Sequence, residues 1–301
     1  MNAEFRKRIR RLKTLPVLPT LLTAGNLASG LTAILFAAND QLLPGAIMVF
    51  IAMICDMLDG KVARMTGTDG AFGAELDSLS DVVSFGVAPA ILMHRLMLGH
   101  PAVFGYGERL LWFCAVFYPV MAAIRLARYN VEHSDEATPY FRGLPSPGAA
   151  AVVCSWIILH QKSEEFRGWI GSPLMIGETY HGLGDLDAFR WFLVGIGMVS
   201  ALTMVSTLRF PHFGNTLLGR MSFRKMIILL LLCAALVWDY AITLALVTTG
   251  YLAGGLLYGV YAMFQQWRRG RGVLDDEDDD SAEDAGIARE KDDTAGPMAG
   301  R

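Results

Sequence analysis

The sequence predicts an all-α fold, a polytopic integral membrane helix bundle of about eight transmembrane helices. Three observations predict it. First, 53% of the 301 residues are hydrophobic and the mean hydropathy is +0.38, too apolar for an ordinary soluble domain of this length. Second, the apolar residues gather in runs of about 20, the length that crosses a hydrocarbon core. Third, the bases between these runs fall mostly on one side, as membrane topology requires. The chain divides into a basic juxtamembrane segment (1–16), a transmembrane domain (17–267) and an acidic tail (268–301).

The first segment carries Arg6, Lys7, Arg8, Arg10, Arg11 and Lys13, with Phe5, Ile9 and Leu12 at helical spacing. It reads as a short amphipathic helix on an anionic surface, or simply as a positive-inside signal; the two are compatible. No secretory signal peptide is expected. The first span runs from about Leu18 to Ala38 and holds one amide, Asn26, which needs a partner in apolar surroundings. That partner is expected on the helices that carry Asp56 to Asp81, or in a bound ligand. The second span, about Leu43 to Arg64, and the third, about Gly73 to Leu98, flank a tight polar turn; Pro89 is expected to kink the third. The fourth covers about Leu110 to Tyr129 and the fifth about Gly148 to His160, followed by a polar loop, 161–187. The sixth covers about Ala188 to Leu208. The last apolar run breaks near Trp238-Asp239-Tyr240 into a short seventh span, 225–238, and an eighth, 241–266. Gly250, Gly254, Gly255 and Gly259 give that last span small faces for close helix packing.

With eight spans both termini lie on one side. That side carries 18 bases: the six at the start, Lys61, Arg64, Arg125, Arg128, Arg142, Arg209, Arg220, Arg224, Lys225, Arg268, Arg269 and Arg271. The other side has Arg95, Arg109, Lys162, Arg167 and Arg190. The bias puts both termini in the cytoplasm of an inner-membrane protein. The net charge of −3 hides it, because residues 272–301 hold eleven acids against three bases. That tail is too polar and too charged to fold. Cys55, Cys114, Cys154 and Cys233 lie in apolar runs without metal-ligand spacing and read as small packing residues. The six histidines suggest no metal site, and no nucleic-acid partner is expected.

Function concentrates between Asp56 and Asp81. The stretch reads Asp56-x2-Asp59-Gly60-x2-Ala63-Arg64-x8-Gly73-x3-Asp77-x3-Asp81. Asp56, Asp59 and Ala63 share one helix face, and Gly73, Asp77 and Asp81 share another. Helix capping and surface charge would be the ordinary explanation for such acids, and Asp69 in the turn fits it. The other four border apolar flanks, where charge is costly and points to function. Two helices joined by a short turn run antiparallel, so the acid pairs can face each other near one membrane surface. Converging carboxylates repel unless cations neutralise them. All-oxygen ligands favour hard divalent ions, and two such ions suit the in-line displacement of phosphoryl transfer.

This stretch resembles the signature of the CDP-alcohol phosphotransferase family, with all eight signature positions filled. The resemblance implies the fold of that family and transfer of a substituted phosphate from a CDP-linked donor to an alcohol, with release of CMP. It implies metal ligation by Asp56, Asp59, Asp77 and Asp81, with Mg²⁺ or Mn²⁺ and two ions expected. It gives Asp81 the further role of general base. Gly60, Ala63, Arg64 and Gly73 then belong to the CDP-binding part, with Asn26 a further candidate there. A homodimer is expected on the same ground alone.

Further motifs resemble the phosphatidylserine synthase branch, over about residues 18–215. They are Asn26-Leu27-Ala28-Ser29-Gly30, the run Asp77 to Pro89, Arg125 to Asn130, and Gly143-Leu144-Pro145-Ser146-Pro147. This branch implies CDP-diacylglycerol and L-serine as substrates. Serine brings a carboxylate that a cation should hold while its hydroxyl points at the metals. Arg125, Arg128 and Arg142 are the candidates, with Ser84 and Asn130 as added hydrogen-bonding groups; topology or lipid phosphate would explain the arginines equally well. Other readings remain open at this level. The acceptor could be inositol phosphate or glycerol phosphate, or the donor an ether lipid, CDP-archaeol. A cation transporter would instead place its carboxylates mid-bilayer at broken helices.

Overall fold

The computed structural model describes residues 17–66, 71–98, 106–132, 140–170, 186–211 and 223–268. Residues 1–16 and 269–301 lie outside the described residues, so the expected amphipathic segment and acidic tail do too. The described residues form eight helical rods: α1 (Val17–Ala38), α2 (Leu42–Thr66), α3 (Ala71–Asp81, continuing through Val82–Val87 and Ala88–Met97), α4 (Tyr106–Glu132), α5 (Ser146–Ile170), α6 (Leu186–Val205), α7 (Phe223–Trp238) and α8 (Tyr240–Arg268). Five stretches are long and apolar enough to cross a membrane: Leu18–Ala38, Leu42–Ala63, Phe72–Met97, Gly107–Val131 and Tyr240–Gln265. Two apolar stretches are shorter, Trp191–Val205 and Met226–Trp238.

Helix α5 is the central post. Its residues Ala149, Ala150, Val152, Val153, Cys154, Ile157 and Ile158 are all buried, and α2, α3, α6 and α8 pack around it. Trp156 Nε1 donates to Thr249 Oγ1 at 2.8 Å and the Ser155 and Thr248 hydroxyls meet at 2.8 Å, so polar contacts tie α5 to α8. Such contacts matter in a membrane, where apolar burial between helices gives little net drive. On α8, added side chains at Gly255 and Gly259 would run into Phe210 and Leu208, whereas Gly250 and Gly254 face no atom within 4 Å. Only half of the expected glycine face is therefore used for packing among the described residues.

Helices α1 and α2 form a tight antiparallel hairpin. Asp40 turns the corner with φ of 60°, and Gln41 N–H caps Phe36 C=O at 2.9 Å. Three features depart from the sequence reading. The fifth helix does not stop at His160 but runs on to Ile170. The expected kink at Pro89 takes the form of a π-helical segment, Val82–Val87, in which Ala88 N–H bonds five residues back to Val83 C=O. Pro89 has no N–H to give, so the ladder just ahead of it is free to widen. Finally, two three-residue strands, β1 (Tyr140–Arg142) and β2 (Arg209–Pro211), pair antiparallel. Gly143, at φ +79°, donates to Leu208 C=O at 2.8 Å and turns the chain from β1 into α5. A Cβ there would strike Met204 C=O, so both φ and space call for glycine.

Candidate active site

Helix α2 carries Asp56 and Asp59 on its last turns, and α3 carries Asp77 and Asp81 on its first. The helices approach with these ends together, against the first half of α1. One oxygen each of Asp56, Asp59 and Asp77 lies within 4.8 Å of the others. Asp59 is 5% exposed and Asp81 7%. Asp59 Oδ2 and Asp77 Oδ1 are buried without a hydrogen-bond partner among the described residues. Three anionic groups packed this closely, with buried oxygens left over, form a donor set that a hard divalent cation fits. The residues present therefore suit the metal centre implied by the motif.

Asp81 stands outside that grouping of three. Its Oδ1 accepts a 3.1 Å hydrogen bond from Asn26 Nδ2. Asn26 is fully buried on α1, and its own main-chain carbonyl accepts from Ser84 Oγ at 3.0 Å. The structure thus gives the sequence's lone amide a neighbouring helix as its partner. It also commits the Ser84 proton to helix contact. Thr23, one turn before Asn26, sits beside Asp59 while donating to Pro19 C=O at 3.0 Å. An aspartate helix is one of the two partners expected for Asn26; Thr23 is not singled out by the sequence, because the apolar run around it reads only as a span.

Arg125 approaches from α4. It is 9% exposed, donates from Nη1 to Ser146 Oγ at 2.7 Å, and lies within electrostatic reach of Asp81 and Asp56. Its Nε is buried without a hydrogen-bond partner among the described residues, and its guanidinium lies 6.0 Å from the Tyr129 ring centroid. A buried cation beside the acids with a donor to spare is ready to take an anion. Asn130 reaches back to Ser78 Oγ at 2.9 Å, on the helix that bears Asp77 and Asp81. Arg128 is half-buried on the same helix as Arg125. The side chains of Arg64 and Arg142 lie outside the described residues; Arg142 is placed by its backbone in β1, opposite Arg209. Added side chains at Gly60 and Gly73 would meet no atom within 4 Å. Among the described residues nothing fills the space a side chain would take at either position.

Comparison with known proteins identifies the family. Residues 16–177, slightly more than half of the chain, match the model of the CDP-alcohol phosphatidyltransferases. A protein of Mycobacterium leprae named CDP-diacylglycerol–serine O-phosphatidyltransferase is 37% identical over 169 residues, 54% of this chain and 53% of that one. The chain thus spans about half the length of that relative. A protein of Helicobacter pylori strain J99 with the same name is 32% identical over 257 residues, 84% of this chain and 94% of that one. Another from Bacillus subtilis strain 168 is 29% identical over 198 residues, covering 65% and 90%.

Proposed function

Because the chain belongs to the CDP-alcohol phosphatidyltransferase family, we propose that it transfers the phosphatidyl group of CDP-diacylglycerol to L-serine. The serine hydroxyl oxygen attacks the phosphorus that carries diacylglycerol. The bond from that phosphorus to the bridging oxygen breaks, and CMP leaves with phosphatidylserine as the other product. The observation that carries this reading is the convergence of Asp56, Asp59 and Asp77 beside a separately held Asp81. The donor and acceptor follow the names borne by the relatives in Mycobacterium leprae, Helicobacter pylori and Bacillus subtilis.

Asp56, Asp59 and Asp77 would hold Mg²⁺ or Mn²⁺, two ions, with Asp81 sharing them; bound there, the metal supplies charge neutralisation for the diphosphate and for departing CMP. Asp81 takes the proton from the serine hydroxyl. Its Asn26 hydrogen bond fixes where that carboxylate waits. Gly60, Ala63 and Gly73 let the nucleotide lie against the ends of α2 and α3, and Arg64 takes a phosphate oxygen. Arg125 holds the serine carboxylate, with Arg128, Asn130 and Arg142 around it. Burial of Arg125 strengthens its pull on an anion. The excess of bases in the sequence on the side of the predicted topology that carries Asp56 to Asp81 supports a cytoplasmic site.

A headgroup screen tests the proposal. Purified protein with CDP-diacylglycerol and Mn²⁺ is expected to release CMP with serine and not with inositol phosphate or glycerol phosphate. CMP release with either phosphate and none with serine would overturn the acceptor assignment. Metal-dependent CMP release would by itself exclude a pure transporter.

A further inference from the structure

Arg125 accounts for the acceptor's carboxylate and the acids for its hydroxyl, but serine also brings an ammonium. An ammonium has three donors and no acceptor, so a partly buried one needs an oxygen to bond. It sits on the same carbon as the carboxylate, so its partner must lie near Arg125. Among the described residues, Asp81, Tyr129, Tyr251 and Asp56 lie within electrostatic reach of Arg125. The two aspartates belong to the metal centre proposed above. Tyr129 is 38% exposed and presents its ring, centroid 6.0 Å away, to the guanidinium. Ser146 Oγ already accepts from Arg125 Nη1. Tyr251 differs in origin: it reaches Arg125 from α8, beyond residues 16–177 that match the family.

The fold holds Tyr251 where it is. Gly148, on the first turn of α5 with Ser146, leaves its ring room, since a Cβ there would sit 3.3 Å from Tyr251 Cε1. Phe210 of β2, fully buried, lies 6.1 Å from that ring, centroid to centroid. Gly255, one turn along α8, admits Phe210, because an added side chain would overlap its ring. Tyr251 therefore packs against both the start of α5 and β2, and is itself partly buried. A phenol so fixed offers an oxygen beside the cation with little ordering left to do when an acceptor arrives.

We propose that the Tyr251 hydroxyl oxygen is the subsite for the ammonium of the amino-acid acceptor, accepting one of its N–H groups while Arg125 takes the carboxylate. This rests on the serine reading above. A phosphorylated polyol has no ammonium and gains nothing from this oxygen. Tyr251 thus favours amino acids over phosphates in a pocket whose arginines alone would suit either.

The test compares wild type with Tyr251→Phe, which removes one oxygen and keeps the ring against Gly148 and Phe210, so the melting temperature should not change. The probes are L-serine and 3-hydroxypropionate, which is serine without its ammonium. Each is titrated by calorimetry into full-length protein in detergent with Mn²⁺ and CMP, and each is assayed for CMP release from CDP-diacylglycerol. Wild type is expected to bind serine about 10- to 100-fold more tightly than 3-hydroxypropionate, the worth of a hydrogen bond to a charged group. Tyr251→Phe should lose that margin, with a raised KM for serine and a similar kcat, and bind 3-hydroxypropionate as wild type does. Were Tyr251 acting only through Arg125, both probes would weaken together, since both carry the carboxylate. Equal weakening of both, or an undiminished preference for serine, would overturn the inference, while CMP release with serine would keep the proposed function. Serine bound without CMP release would end the proposed function, and the titrations would still decide the role of Tyr251. Serine neither bound nor turned over would end both.

Discussion

The two ends of the α1–α2–α3 unit handle charge in opposite ways. At the end away from the aspartates, Arg95 is matched within the chain. It donates to Ala37 C=O at 3.1 Å and Ala38 C=O at 2.9 Å, and pairs with Asp40 at 2.9 Å. It thereby caps the C-terminus of α1, where a cation meets both free carbonyls and the negative end of the helix dipole. At the other end, three carboxylates crowd within 4.8 Å and leave Asp59 Oδ2 and Asp77 Oδ1 without partners. Charge that serves the fold is satisfied by the fold. Charge left over, in a place where it is costly, is held for something that arrives from outside.

The sharpest way to break this contrast is at the acids. Asp56→Ala, Asp59→Ala and Asp77→Ala should each lower CMP release by about 10²- to 10³-fold or more, the scale on which loss of one transition-state stabilising group is felt. Their melting temperatures in detergent should not fall, since each change relieves repulsion. Normal turnover in any of the three would remove that residue from the site. Next, chelation by EDTA should abolish turnover, and Mn²⁺ should restore it. At about 100 times its dissociation constant, Mn²⁺ should also stabilise wild type by about 2.7 kcal/mol and fail to do so in Asp59→Ala, as read from melts with and without the ion.

Arg125 tests the boundary between the two kinds of charge, because Ser146 satisfies one of its donors and Nε is left over. Arg125→Ala should raise the KM for serine about 10- to 100-fold, the worth of a charge-assisted hydrogen bond. Arg125→Lys should not restore it, because an ammonium cannot hold Ser146 and an anion in the same fork geometry. Steady-state kinetics over serine concentration would show both. The smallest effect on chemistry belongs to Arg95→Ala. It should cost about 1–3 kcal/mol of stability through the unmet carbonyls of α1 and leave turnover per folded molecule unchanged. A turnover defect there would mean the two ends are coupled.

Much of this site was legible because membrane sequences are parsimonious with charge. Asp56, Asp59, Asp77 and Asp81 stand out against their apolar flanks, and two periods and a turn suffice to bring them together. The eight helical rods were legible for the same reason. What escaped the sequence was of another kind. Hydropathy reports where lipid is, not where a helix stops, so α5 was expected to end at His160 and instead continues through Lys162, Glu164 and Glu165, residues that form helix readily in water. A lone amide in an apolar span announced that Asn26 would meet the aspartate helices or a ligand, but not that its partner would be Asp81, 55 residues away. The π segment at Val82–Val87 has no periodic signature; Pro89 marked that something would give, but not how. The Gly143 turn and the β1–β2 pair depend on contacts with α6 and α8, which only the tertiary arrangement supplies.

The claim on which the account turns is that the acids of α2 and α3 grip divalent metal. It is tested most directly by anomalous diffraction at the manganese edge, on crystals grown with Mn²⁺ and a CDP-linked lipid. The account predicts density between Asp56, Asp59 and Asp77, with the diphosphate against it. Manganese elsewhere, or none at these carboxylates while the nucleotide is bound, would contradict it.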